Sequence, residues 1–301
     1  MKSITVISGK GGTGKTTLTA GFAAVAALPS SPFQKLLERR ENIVLADCDV
    51  DAADLHLLLQ PEIKSEHYFE GGKLAYIDPE KCIACGKCVE MCRFDAISDD
   101  FVVSPIDCEG CNVCAYVCPV DAITLNIRES GKWFISDTRF GPMVHARLAA
   151  GQGNSGRLVS LVRERVEKIA LEQNLEYVLI DGPPGIGCPV IAAISGTDLV
   201  LIVTEPTLSA MHDMERILGL AEHFQVPAIV CINKYDINLN NTREIERFLW
   251  ENKITLADKI PFDLAMVRAL TEAKTIVEYA PRKRIALIVE NIWRKIIDEL
   301  R

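Results

Sequence analysis

An α/β fold, with a mostly parallel sheet covered by helices on both faces and a small inserted α+β domain, is predicted by three features of this 301-residue chain. Strand-like apolar runs alternate with helical stretches over most of its length, the pattern of a sheet built from crossover units. A glycine-rich loop, Gly9-Lys10-Gly11-Gly12-Thr13-Gly14-Lys15-Thr16, follows the first apolar run. Between about residues 61 and 128 the alternation stops, and eight of the eleven cysteines lie there in two runs of equal spacing.

Taken in order, Ser3–Ser8 is a β-branched run with the length of a buried strand, and the stretch from Lys15 to Leu28 reads as a helix. Asn42–Asp47 is a second strand, after which the pattern breaks near Pro61 and resumes after about Arg128. Further strands are expected at Glu176–Asp181, Asp198–Thr204, Pro227–Asn233 and Ile254–Ile260, with helices at Arg157–Glu172 and Leu208–His223 between them. The run from Gly151 to Gly156 reads as a mobile loop before a helix. At the C-terminal end Ile285, Ile288, Ile292, Ile296 and Leu300 recur at helical spacing. The polar face there mixes Glu290, Asp298 and Glu299 with Arg294 and Lys295, which suits docking on the core better than lying on a membrane.

This reading divides the chain into a discontinuous domain, residues 1–60 and 129–301, and an insert, residues 61–128. With 49% apolar and 25% charged residues the composition is that of a globular protein with a sizeable core. The net charge is −8, and the insert carries 6 Lys and Arg against 12 Asp and Glu, so −6 of it lies there. No basic stripe is visible, which disfavours nucleic acid. No leader-like apolar segment opens the chain, and no run approaches the ~18 apolar residues of a membrane span. Cysteines at metal-ligand spacing argue for a reducing, cytoplasmic setting.

The loop fits G-x-x-x-x-G-K-[ST] in its proper place between strand and helix. Glycines let backbone N–H groups close on phosphates, and the helix N-terminus adds a favourable dipole. Lys15 would reach the β- and γ-phosphates, and Thr16 would place its hydroxyl on Mg²⁺. Gly9, Lys10, Gly11, Gly12, Thr13, Gly14, Lys15, Thr16 and Thr17 are the expected nucleotide-binding residues.

The second lysine in that loop, Lys10, makes the chain outside the insert resemble the deviant-Walker ATPases, the MinD superfamily that also holds ParA, Mrp-type cluster carriers and the nitrogenase iron protein. The resemblance implies an ATP-dependent homodimer in which Lys10 reaches the partner's nucleotide. It also implies that Asp49, in Asp47-Cys48-Asp49, orients the attacking water while Asp47 supports Mg²⁺. Asp181, in Asp181-Gly182-Pro183-Pro184-Gly185, would hold Mg²⁺ through water, and Asn233 would read the adenine edge. Acids at strand ends can alternatively be plain helix caps.

Cys82-x2-Cys85-x2-Cys88-x3-Cys92 and Cys108-x2-Cys111-x2-Cys114-x3-Cys118-Pro119 have the spacing that holds [4Fe–4S] clusters. The surrounding residues repeat at an offset of 26, from Phe94-Asp95-Ala96-Ile97 to Val120-Asp121-Ala122-Ile123. The insert is therefore similar to a two-cluster bacterial ferredoxin, in which the fourth cysteine of each run serves the other cluster. That resemblance implies one cluster on Cys82, Cys85, Cys88 and Cys118 and another on Cys108, Cys111, Cys114 and Cys92. Arg93 departs from the motif proline, and zinc is the alternative occupant.

Cys188 lies seven residues after Asp181. In the nitrogenase iron protein a ligand of a subunit-bridging cluster sits at that offset, so Cys188 is a possible extra thiol site; a small buried thiol is the other reading. Cys48 and Cys231 read as core. The expected function is an ATPase that couples nucleotide-driven changes in the dimer to electron transfer from two [4Fe–4S] clusters to a redox partner with a basic docking patch. The alternatives are an iron–sulfur cluster or metal carrier and a redox-sensing positioning ATPase.

Overall fold

The computed structural model describes residues 1–27, 42–149 and 151–301. Its strands are β1 (Lys2–Ser8), β2 (Ile43–Asp47), β3 (Glu62–Ile77), β4 (Ile123–Thr138), β5 (Gly141–Leu148), β6 (Tyr177–Pro184), β7 (Leu199–Thr204), β8 (Ala228–Asn233) and β9 (Thr255–Ile260). Its helices are α1 (Lys15–Ala27), α2 (Leu55–Leu59), α3 (Lys87–Glu90), α4 (Val113–Tyr116), α5 (Ser155–Glu172), α6 (Cys188–Ile194), α7 (Leu208–His223), α8 (Leu239–Glu251), α9 (Leu264–Thr271), α10 (Ile276–Tyr279) and α11 (Arg284–Glu299). The strands form one sheet in the order β3-β4-β5-β2-β6-β1-β7-β8-β9. From β5 to β9 every pairing is parallel, and β3 and β4 add an antiparallel edge.

Strand residues alternate between two covered faces. Ile4, Val6, Leu45, Leu179, Leu201 and Val203 pack with α1, α2 and the C-terminal helices. Ile7, Val44, Ile180, Val200 and Ile202 pack with α5 to α8 on the other side. Burial on both faces explains why these strands read as continuous apolar runs. Helix α1 packs on the sheet beside α11, where Phe22 is fully buried and stacks on Trp293 at 5.9 Å. Truncating Phe22 to Ala would cost about 3–5 kcal/mol. The apolar face of α11 (Ile285, Val289, Ile292, Trp293 and Ile296) is spent on this core. The expected Leu28 end of α1 lies outside the described residues. Cys48 and Cys231 are fully buried in the core, as their neighbours suggested. No helix among the described residues is long and apolar enough to cross a membrane.

The antiparallel edge is where the cysteine-rich segment attaches. β3 and β4 pair from Glu62↔Asp137 to Ile77↔Ile123. β5 accompanies β4 only from Gly131 to Thr138. The rest of the hairpin is a two-stranded arm continuous with the main sheet. Residue 61 lies just before β3 and residue 128 lies within β4, so β3 falls wholly inside the expected insert although its first half pairs into the main sheet, and only β4 crosses the boundary.

Beyond the arm, residues 78–122 form two interlocked halves. Asp78 N–H donates to Ala122 O at 2.8 Å, and Ser104 N–H donates to Ala96 O at 2.7 Å. Each partner in one bond is 26 residues from its counterpart in the other. Left-handed backbone recurs at the same offset: Ala84 with Gly110, Gly86 with Asn112, and Asp95 with Asp121. The sequence repeat is thus a structural one, with a pseudo-twofold exchange between halves.

The glycine-rich stretch before α5 is anchored. Asn154 Nδ2 donates to Gly71 O at 2.6 Å, and Gln152 N–H donates to Ala149 O at 3.1 Å. The first bond ties it to β3, and the second closes a turn just after β5.

Candidate functional site

The phosphate loop opens at the carboxyl end of β1, in the middle of the sheet between β6 and β7, where open α/β sheets bind ligands. Gly12 (φ +80°) and Gly14 (φ +93°) hold left-handed backbone that a side chain would strain. A Cβ at Gly9 would collide with Asp213 of α7. Thr16 and Thr17 fall in the first turn of α1, where free N–H groups and the helix dipole favour phosphate. Lys10 and Gly11 are exposed on the rim, with Lys10 O accepting from Ser8 Oγ at 2.8 Å.

Beneath the loop lie three carboxylates and one ammonium. The parallel register of β2 and β6 pairs Asp47 with Asp181, and both are fully buried. Asp47 accepts the N–H groups of Asp49 at 3.1 Å and Leu55 at 3.2 Å, so it orders the segment leading into α2. Lys15 Nζ donates to Asp49 Oδ2 at 2.7 Å. Asp181 Oδ1 accepts from Thr19 Oγ1 at 3.2 Å, whereas Asp181 Oδ2 and Thr13 Oγ1 are buried without a partner.

Burial pushes the Asp181 carboxyl up to about 6 against the lowering pull of Lys15 and the threonine hydroxyls. Burial, then Asp181, lift Asp47 well above the usual carboxylate range. For Lys15 burial pulls down, but Asp181, Asp49 and Asp47 outweigh it and hold the ammonium above its usual range. One ammonium does not suffice to hold all three acids ionised. The orphaned Asp181 oxygen and the raised Asp47 and Asp181 carboxyls fit a divalent cation beside Thr16, whose charge would favour their ionised forms.

A cleft beside the loop supplies a feature the sequence reading missed. Gly12, Gly14, Thr17 and Asn233 form its loop side, and Phe262, Met266, Val267 and Leu270 form an apolar wall. Asn233 Nδ2 donates to Thr13 O at 2.7 Å, and Asn233 Oδ1 accepts Lys234 N–H at 3.0 Å. The amide therefore braces the loop from the cleft's edge. Lys234 Nζ adds bonds to Gly12 O at 3.1 Å and Glu205 at 3.3 Å. No local signal marked the wall: Pro261-Phe262 follow β9, and Asp263 caps α9 by accepting Ala265 N–H.

In the cysteine lobe, Cys82, Cys85, Cys88 and Cys118 line one small cavity, and Cys92, Cys108, Cys111 and Cys114 line another. Ile77, Phe101 and Ile123 complete the first, and Ala75, Ile97 and Val103 the second. Ala122 N–H donates to Cys118 Sγ at 3.3 Å. Burial raises the Cys88 and Cys114 thiols, opposed by N–H groups at the starts of α3 and α4. Among the described residues no three His, Cys, Asp or Glu side chains gather as ligands of a single metal ion. Cys188 is exposed at the start of α6, its Cβ 3.2 Å from where a Cβ of Gly156 would lie.

A path of contacts joins the two regions. Asp47 holds the start of α2, and His56 on α2 stacks on His145 of β5 with ring centroids 6.1 Å apart. The His145 ring in turn stacks on Phe134 of β4 at 4.9 Å and shares a hydrogen bond with Ser136 at 3.0 Å. β4 then runs on into the arm.

Comparison with known proteins gives this geometry a family. An uncharacterized protein of Methanocaldococcus jannaschii is 36% identical over 294 residues, 97% of this chain and 95% of its own. The septum site-determining protein MinD of Bacillus subtilis is 27% identical over 172 residues, 55% of this chain and 63% of its own. The solved cell division ATPase MinD of Pyrococcus furiosus shares the fold at a TM-score of 0.59 and 18% identity, covering 99% of this chain and 98% of its own. The family model for the CobQ/CobB/MinD/ParA nucleotide binding domain matches residues 4–276. A match of that extent leaves little of the chain outside it, and the protein belongs to the CobQ/CobB/MinD/ParA nucleotide-binding family.

Proposed function

We propose that the protein is a MgATP-dependent, dimerising ATPase whose inserted lobe, residues 61–128, holds two [4Fe–4S] clusters, and that its nucleotide state is coupled to redox exchange with a partner protein. The observation that carries this reading is the pair of crossed cysteine sets. Three cysteines of one run share a cavity with the fourth cysteine of the other, twice over. Apart from Glu109 in the second cavity, thiols are the strong metal ligands of the linings, the remaining walls are largely apolar, and the sets surround a space rather than a point. A polynuclear cluster suits that arrangement better than one zinc ion. Bound clusters would supply one-electron redox chemistry. Mg²⁺ would be held by Thr16 and Asp181, with Asp47 in support, and would neutralise phosphate charge.

The chain's own groups define the rest. ATP phosphates compete with Asp49 for the Lys15 ammonium, and an Asp49 released from that pair can face the attacking water. The adenine lies against Phe262, Met266 and Val267, and Asn233 stays on the loop. Lys10, exposed on the rim, reaches a second copy's nucleotide. Movement of Asp47 and Asp49 pulls on α2 and, through His56 and His145, on β4 and the arm.

The test is a set of anaerobic preparations. Wild type is expected to carry about eight iron and eight sulfide per chain. A Cys85→Ser/Cys111→Ser variant should lose most iron and keep ATP binding, while Lys15→Ala should do the reverse. An iron-free wild type would remove the cluster reading, and loss of both properties in either variant would deny two separable modules. A second reading, a positioning ATPase with the lobe as redox sensor, is favoured by the likeness to MinD. ATP-dependent co-sedimentation with a membrane or DNA would support it.

A further inference from the structure

A cleft on the cysteine lobe is larger than the one beside the phosphate loop, which measures about 170 Å³. The lobe's cleft measures about 530 Å³ and is walled chiefly by Leu74, Tyr76, Pro79, Ala84, Phe101 and Val102. Ile77, Cys82 and Phe101 line both this cleft and the cavity of Cys82, Cys85, Cys88 and Cys118, so the two spaces share a wall. Phe101 holds a left-handed backbone, φ +61°, which a bulky side chain rarely adopts. Bonds from Phe101 N–H to Ser98 O at 2.9 Å and from Val102 N–H to Ser98 Oγ at 3.1 Å keep that turn in place.

The pseudo-twofold repeat shows that this opening is not an inevitable feature of the lobe. The counterpart of Ala84 is Gly110, which packs so closely on the Lys73 backbone that a Cβ would collide with it. Ile106 lies 3.6 Å from where a Gly151 Cβ would be, and Arg128 bonds Pro105 O. One half of the repeat is therefore closed against the arm, whereas its equivalent is open. Around the open half, Tyr76 is 52% exposed, Ile83 60% and Val102 66%. Asp99 and Asp100 adjoin these residues, in the segment that carries −6 of the chain's charge.

We infer that this cleft is the docking site of a redox protein that inserts an apolar side chain into it and surrounds it with Lys and Arg. An apolar centre within an acidic surround calls for the complementary arrangement, with charge setting encounter and the apolar anchor setting residence. Against the shared wall, one electron passes between the cysteine-held group and the partner's redox centre with no bond made or broken. This inference rests on the cluster reading above, and its test separates the two.

The probe is oxidised cytochrome c, a lysine-ringed redox protein, titrated calorimetrically into the as-isolated protein so that no electron flows, with iron measured on each sample. Wild type should bind, and raising salt from about 20 to 300 mM should weaken binding about tenfold or more. Val102→Arg, at an exposed position, and separately Tyr76→Lys should each weaken it about tenfold with iron unchanged. Asn240→Lys, at an exposed position on the distant α8, makes the same charge change as a control and should have no effect, and succinylated cytochrome c should not bind. Absent binding, or binding indifferent to both cleft variants, overturns the docking site even if iron is present. Cleft-dependent binding to an iron-free protein keeps the docking surface and removes the cluster reading.

Discussion

Lys15 and Asp49 form a buried ion pair, Nζ to Oδ2 at 2.7 Å, with each side chain only 9% exposed. The loop lysine is thus occupied by the acid that the family resemblance assigns to water activation. Phosphate entry and release of that acid become one event. Asp49→Asn should leave ATP affinity equal or tighter, because the competitor for Lys15 is weakened, while kcat falls about 100-fold or more. Calorimetric binding and phosphate release measure the two separately. Weaker binding with normal turnover would place Asp49 outside the chemistry.

The buried titrating groups set a pH signature with opposed signs. The Asp181 carboxyl, lifted by burial to about 6, contributes stability that is complete below about pH 4 and lost as pH rises through 6. His145 is lowered by burial, His56 and Arg147 to about 4, so its contribution is present above pH 6.5 and lost as pH falls through 4. In urea denaturation without nucleotide, Asp181→Asn should gain stability relative to wild type on the order of 2 kcal/mol more at pH 7 than at pH 4. His145→Gln should shift the opposite way, being relatively more stable at pH 4. Parallel pH profiles for wild type and both variants would contradict the burial argument.

The apolar wall of the nucleotide cleft makes a separable contribution. Met266→Asp should weaken ATP binding about tenfold and leave inorganic triphosphate binding unchanged, since the loss falls on the base alone. Equal losses for both ligands would mean that the base lies elsewhere.

On the proposed reading, Lys10 serves assembly rather than binding. Lys10→Ala should retain ATP affinity within about twofold, because Lys15 and the loop N–H groups remain. Light scattering with a non-hydrolysable ATP analogue should show wild type as a dimer and the variant as a monomer. A variant that still dimerises would remove Lys10 from the interface.

The central sheet was legible because β1, β2 and β6 to β8 are largely buried on both faces and read as apolar runs, with β9, at the edge, marked only by Leu256, Ala257 and Ile260. β3 and β4 were not legible: Gly71, Gly72 and Gly131 accompany irregular pairing, and exposed charges such as Glu62, Lys64 and Glu66 interrupt any alternation. β5 was hidden too, although Met143, Val144 and Ala146 are buried, because Pro142, His145 and Arg147 break the run. The phosphate loop and the cysteine runs announce themselves because their chemistry is fixed by local spacing. The cleft wall does not, since Phe262 and Met266 lie about thirty residues beyond Asn233 and look like ordinary apolar residues until folding brings them to the loop. Asn233, read from the sequence as a base contact, lines the cleft and also braces the loop through Thr13 O, a second bond its identity did not announce.

The most direct test of nucleotide-coupled clusters is an anaerobic redox titration followed by EPR, with and without MgATP. The account predicts [4Fe–4S] signals whose potential or line shape shifts on adding MgATP in wild type and stays fixed in Lys15→Ala. Clusters with identical potentials and spectra in both conditions would contradict the coupling, and the absence of any cluster signal would contradict the ligand assignment itself.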